Sequence, residues 1–380
     1  MTAPAPAPAV RPPFVPALTG VRAFAAGWVM VLHLTAVTAV LLPPTAAKLF
    51  GFVALPGFLG VDLFFVLSGF IISYNYEAWF VERVEWRRYL QFQRARLARI
   101  YPVHLVLLVA LVGAVRGLGI DAGAATDPAR WSTVRLIESL VLIQAWLGHT
   151  DVWNAVSWSI SLEWLAYLLF PAMVWVARRV GRLGPVGLAL TLVAITAVPG
   201  SRAVMERLVP GTPSLPPLQI ISEFLAGCVT YQLFRQQRGR TSLAAHPGWL
   251  LLALVVVASV MNHVGVPAAC AVPLVPPLLL GLAYGEGRIS RWFAHRAMVY
   301  GGKISFALYM THYLWLWVMH HKFPLATLAT HGLPMRLAWI AAHALPMPLI
   351  AAAVYHLVEE PARHWLVRRA PAAPPGATTR

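Results

Sequence analysis

Apolar runs long enough to cross a bilayer recur along this 380-residue chain, and no other feature limits its folding as strongly. A bilayer core needs roughly 20 apolar residues per helical span and offers no water to satisfy exposed backbone groups. The runs have helix rather than strand length, so the expected fold is all-α, a polytopic transmembrane helical bundle. Spans are read at about 17–42, 57–76, 102–118, 159–176, 183–198, 218–234, 249–261, 268–284, 300–318 and 337–358, which makes about ten. A shorter run at 134–147 is expected to be re-entrant or interfacial, and the arginine-rich stretch from Trp79 to Arg99 to lie as a helix on the membrane surface. With 59% hydrophobic and 12% charged residues, a water-soluble domain of this size is excluded.

Residues 1–15 form a proline- and alanine-rich tail expected to be disordered, 16–363 a single membrane domain, and 364–380 a second, largely disordered tail. The N-terminus lacks a short apolar core with a cleavage site, so the first run reads as a retained anchor. Cys228 and Cys270 both fall in apolar stretches, which supports neither a disulfide framework nor a thiolate metal site. A net charge of +16 would suggest nucleic acid in a soluble protein, but here the basic residues cluster in alternate loops. The tails and the loops after even-numbered spans hold twenty arginines and lysines, and the opposite loops eight. The positive-inside rule then puts both termini in the cytoplasm of a multi-pass plasma-membrane protein, with membrane lipids rather than nucleic acid as its surroundings.

Within the first run, Arg22 and His33 stand eleven residues apart. On one helix that separation returns the two side chains to within roughly 20° of a common face, about 16 Å apart along the axis. Arg22 lies towards the cytoplasmic end and His33 deeper. Intramembrane ionisable groups are costly and mark sites by default, although a snorkelling arginine and a helix-to-helix histidine hydrogen bond fit the same residues. The basic sequence RARLARIYPVH, on the cytoplasmic side, offers either a phosphate-binding surface or a lipid-contacting one. His320 and His321 point to different helical faces without nearby carboxylates or cysteines, so no metal is expected, and Ser68 is not set in a Gly-x-Ser-x-Gly elbow.

Six segments in order are similar to those of one family. They are Arg22 with His33, GVDLFFVLSGFIIS at 60–73, RLARIYP at 96–102, WSISLEWLAY at 158–167, GGKISFALYMTH at 301–312, and VEEPAR at 358–363. Together they resemble the acyltransferase-3 family of membrane O-acyltransferases, with Phe306 standing where that family usually has tyrosine. The resemblance implies transfer of an acyl group, commonly acetyl, from cytoplasmic acyl-coenzyme A to a hydroxyl. The acceptor would carry a sugar, as a glycan, a glycolipid or a glycosylated small molecule such as a macrolide. It leaves the oligomeric state open.

Acylating an alcohol with a thioester requires a base near neutral pH, for which His33 is the candidate; an acyl-histidine intermediate is the alternative. Arg22, Arg96, Arg99 and Lys303 are the expected partners of the anionic coenzyme. Glu163 matches the family's acidic position and would either orient an imidazole or pair with a buried arginine. Asp62, Ser305, Tyr309 and His312 are the candidate substrate contacts, the last three sharing one helical face through four- and three-residue steps. Packing between helices fits Asp62, Ser305 and Tyr309 as well. A transporter or flippase using the same Arg, His and Glu is the competing function, though no internal repeat supports it.

Overall fold

A computed structural model describes residues 13–117, 128–149, 152–209, 215–237, 246–285 and 287–368. Among these residues the regular structure is all helical, as expected. In chain order the α-helices are α1 (Pro16–His33), α2 (Thr35–Leu41), α3 (Pro44–Ala54), α4 (Leu59–Tyr76), α5 (Trp86–Val112), α6 (Thr133–Leu140), α7 (Trp158–Gly181), α8 (Gly184–Leu208) and α9 (Pro216–Gln236). They continue as α10 (Pro247–His263), α11 (Val275–Tyr284), α12 (Gly287–Phe293), α13 (Arg296–Lys322), α14 (Leu325–Leu328), α15 (Leu333–Ala344), α16 (Pro346–Val354) and α17 (Glu360–Arg368). Tails 1–12 and 369–380, expected to be disordered, lie outside the described residues. Helix α17 runs past the expected domain edge at 363 as far as Arg368.

Among the described residues, five helical stretches are long and apolar enough to cross a membrane, or up to seven if each bent pair is one span. The expected ten are not reached, for two physical reasons. Helices α9 and α13 are long enough, at 21 and 27 residues, but carry polar side chains such as Glu223, Ser305 and His312 into the interior. Other runs are broken: the first bends by 45° between α1 and α2. There His33 Nδ1 and Thr35 Oγ1 bond the backbone carbonyls of Val29 and Leu32, and such side-chain bonding to a helix's own carbonyls accompanies bending.

The stretch around Arg83–Arg99 is corrected more substantially. Arg87 to Arg99 belong to α5, which runs straight on through Pro102 as one 27-residue helix, so the basic residues form no separate surface helix. Its inner face buries Phe92, Val103 and Leu107 and turns Arg96 and Arg99 inward. The stretch expected to be re-entrant or interfacial is short and irregular. Helix α6 covers only eight residues, Leu142 then takes a positive φ of 60°, and a short 3-10 turn spans Gln144–Leu147. Ser161 of α7 fixes this turn by donating to the Leu142 carbonyl and accepting from the Ala145 amide.

Two close pairings place the site, α1 against α13 and α4 against α9. At Gly302 a Cβ would collide with the Thr19 carbonyl of α1, and at Gly69 with the Phe224 carbonyl of α9. Small residues substitute for hydrophobic drive in bringing membrane helices together.

Candidate functional site

Helices α1, α4, α7 and α13 surround two adjoining cavities. The smaller, of about 40 Å³, is lined by Arg22, Phe64, Ser68, Ser159, Glu163, Ser305 and Phe306, among others. The larger, of about 290 Å³, is lined by Val29, His33, Phe58, Ala155, Val156 and Trp158. Val61 and Tyr309 line both, so they form the wall where the two meet. Arg22 and His33 thus share a face of α1, as their spacing predicts, and each looks into a cavity.

The Arg22 guanidinium lies over the Phe64 ring, 5.3 Å from its centre, and its Nε donates to Ser305 Oγ over 3.4 Å. Opposite it, Glu163 Oε1 accepts from Tyr167 OH at 2.6 Å and from Ser68 Oγ at 3.0 Å. The carboxylate is within electrostatic reach of both Arg22 and Arg99. Arg99 pairs with the buried Glu359 and lies over the Phe306 ring at 5.4 Å. Arg96 is packed against Tyr76, Phe92 and Tyr167, donating to Tyr76 OH at 3.1 Å. Three inward arginines therefore lie around two carboxylates, Glu359 buried and Glu163 half-buried, as desolvated charges require.

At the other end, His33 Nδ1 lies 2.9 Å from the Val29 carbonyl and 3.2 Å from Nε2 of His312. His312 Nδ1 is in turn 3.2 Å from the Leu308 carbonyl. A carbonyl accepts only from N–H, so these partners assign the proton of each neutral ring to Nδ1. His312 Nε2 is then an acceptor for His33, and His33 Nε2 keeps a lone pair on a ring that lines the larger cavity. Tyr309 OH donates to the Val156 carbonyl and accepts from Ser159 Oγ at 2.8 Å, which fixes the shared wall.

Two expected site residues lie elsewhere. Lys303 is exposed on α13 and lines neither cavity. Asp62 is buried and lines neither cavity; Gln219 of α9 donates to it at 2.7 Å and it adjoins Glu223, so it joins α4 to α9. Glu163 does not stand behind an imidazole either: its bonds go to Ser68 and Tyr167, and those of His33 to Val29 and His312. Reading residues alone missed Tyr167 and Glu359 as members of the cluster. Tyr167 follows Glu163 by four residues, the spacing that stacks two side chains on one helical face.

Ionisable and hydroxyl groups converging on cavities inside a bundle of apolar helices mark a membrane protein with a polar site in its interior. Residues 15–355 match the model of a family described as an acyltransferase domain, and the chain belongs to this acyltransferase-3 family. Acyltransferase MdmB of Streptomyces mycarofaciens is similar to it, with 28% identity over 316 residues that span 79% of this chain and 78% of that protein. No solved structure matches the chain.

Proposed function

We propose that this acyltransferase moves an acyl group, acetyl in the simplest case, from cytoplasmic acyl-coenzyme A to a hydroxyl of a sugar-containing acceptor, with His33 as the base. The observation that carries this reading is the join at Val61 and Tyr309 between the cavity lined by Arg22 and Glu163 and the one lined by His33. A thioester arm held by its anionic end near Arg22, Arg96 and Arg99 has its reactive carbonyl directed towards the imidazole.

In the reaction, His33 Nε2 takes the proton of the acceptor hydroxyl as the oxygen attacks the thioester carbonyl carbon. The tetrahedral oxyanion collapses, the carbon–sulfur bond breaks, and the leaving thiolate recovers the proton from the imidazolium. The products are the ester and free coenzyme A. His312 accepts from His33 Nδ1–H throughout, so it holds the ring with Nε2 towards the acceptor and steadies the imidazolium that forms. Apart from His33 the larger cavity is lined by aliphatic and aromatic side chains, Trp158 and Tyr309 among them, which suits a neutral acceptor with an apolar body. The basic loops support a plasma-membrane protein with both termini cytoplasmic and the arginine end of the passage facing the donor pool.

The test uses the full chain purified in detergent, labelled acetyl-coenzyme A and an extract of the cells that make it. Label passing to a hydroxyl compound that can be isolated supports the reading. Movement of the acceptor across a reconstituted membrane without thioester cleavage replaces it with transport.

A further inference from the structure

A second basic site lies outside the passage. At the ends of α4, α7 and α9, Arg178, Arg179, Arg182 and Arg235 line an open cavity of about 440 Å³ together with Gln232 and Trp175. Among the described residues a single carboxylate, that of Glu77, pairs within this group of four guanidiniums, and it engages two of them. Buried Glu77 pairs with Arg178 at 3.0 Å and Arg235 at 2.8 Å and accepts from Gln232 at 2.7 Å. Arg179 and Arg182 have no acidic partner among the described residues, and Arg179 is stacked 4.0 Å over the exposed Trp175 ring. Glu77 thus organises a cationic cavity without neutralising it.

Continuity with the donor end of the passage is blocked. Phe80, which lines this cavity, packs on Phe92 and Phe170, and all three rings are buried. Arg96, at the donor end, lies over the Phe92 ring at 5.8 Å. A guanidinium-lined cavity at the rim of apolar helices, beside an exposed tryptophan, is matched by a phosphate carried at the membrane surface.

We infer that this cavity binds a phosphate-bearing anion, supplied by an anionic phospholipid whose acyl chains lie along α7. This site is independent of the transfer reaction, so it stands or falls apart from the proposed function. The test titrates the detergent-purified full chain with phosphatidylglycerol or phosphatidylcholine and counts retained lipid by native mass spectrometry. A parallel thermal-unfolding titration uses inorganic phosphate. The double variant R179Q/R182Q spares the two arginines that hold Glu77. R288Q/R291Q, on the exposed side of α12 and outside the cavity, removes the same charge.

The expected result is retention of phosphatidylglycerol over phosphatidylcholine, weakened roughly tenfold in R179Q/R182Q and unchanged in R288Q/R291Q. Stabilisation of the parent chain by inorganic phosphate, lost in R179Q/R182Q and without lipid retention, keeps the site and assigns a soluble phosphate to it. Equal losses in both double variants, or no change in either titration, overturn the inference.

Discussion

The two ends of the passage along α1 are built on opposite terms. At the Arg22 end the space is about 40 Å³, room for a water or so, and its polar groups are engaged by Ser305, Tyr167 and Ser68. At the His33 end there is about 290 Å³, and the one titratable side chain on its walls besides Tyr309 is an imidazole whose Nε2 is left free. The difference teaches how the labour divides. Charges buried in a bilayer must be kept closely paired, so on the proposed reading the end that would recognise the anionic donor is the tight one. On the proposed reading, the end that supplies a base and a shape can stand open. Changes at the tight end should therefore alter donor use, and changes at the open end the chemical step.

The sharpest way to break that division is His33→Ala. It should lower kcat by about 10²–10⁴, the range of a lost general base, while the protein remains folded in the membrane. Thioester consumption dependent on acceptor measures it, and normal turnover would reduce His33 to packing. Next in size is Glu359→Ala at the tight end, which strands Arg99 without its buried partner. A stability loss of about 3–5 kcal/mol is expected from detergent unfolding curves, since breaking a buried pair leaves one charge uncompensated. Third, Arg22→Ala should raise the KM for acyl-coenzyme A by roughly 10–100-fold, the scale of lost charge-assisted hydrogen bonds, with the acceptor KM unmoved. A shift confined to the acceptor KM would reverse the assignment of the two ends. Fourth, His312→Asn should cost about tenfold in kcat and leave both KM values in place, because His312 acts through His33. A change in acceptor KM instead would make it a substrate contact.

How much of this was legible beforehand follows from helix geometry. The spacing of Arg22 and His33 needs only one continuous helix up to residue 33, and α1 provides it. The shared face of Ser305, Tyr309 and His312 survives for the same reason. Lys303 falls outside the cluster, as its position already indicates: two residues before Ser305 is about 200° around the helix, the opposite face. Asp62 precedes Ser68 by six residues, about 240° away, and so meets α9 while Ser68 meets Glu163. What no pattern within one helix reveals is the contact between His33 and His312, 279 positions apart, or between Arg99 and Glu359. Those depend on which helices adjoin. The span count suffered because hydropathy sees neither the bend after His33 nor that the polar side chains of α9 and α13 turn into the interior.

The smallest effect asks what aims Arg22 at the donor. Its hydrogen bond to Ser305 is long at 3.4 Å, and the Ser305 hydroxyl already donates to the Gly302 carbonyl at 2.9 Å. The Phe64 ring offers a face 5.3 Å away. A hydrogen bond beyond the ordinary N–H···O range contributes little, whereas a desolvated cation over an aromatic ring is worth up to about 2 kcal/mol. Ser305→Ala should accordingly raise the donor KM by only about twofold, and Phe64→Leu by more, about fivefold to tenfold, with kcat little changed in both. The two variants assayed side by side decide between ring and hydroxyl. If Ser305→Ala proved the costlier, the hydroxyl would be the anchor and Phe64 merely the lid of a space that must widen when the thioester arm arrives.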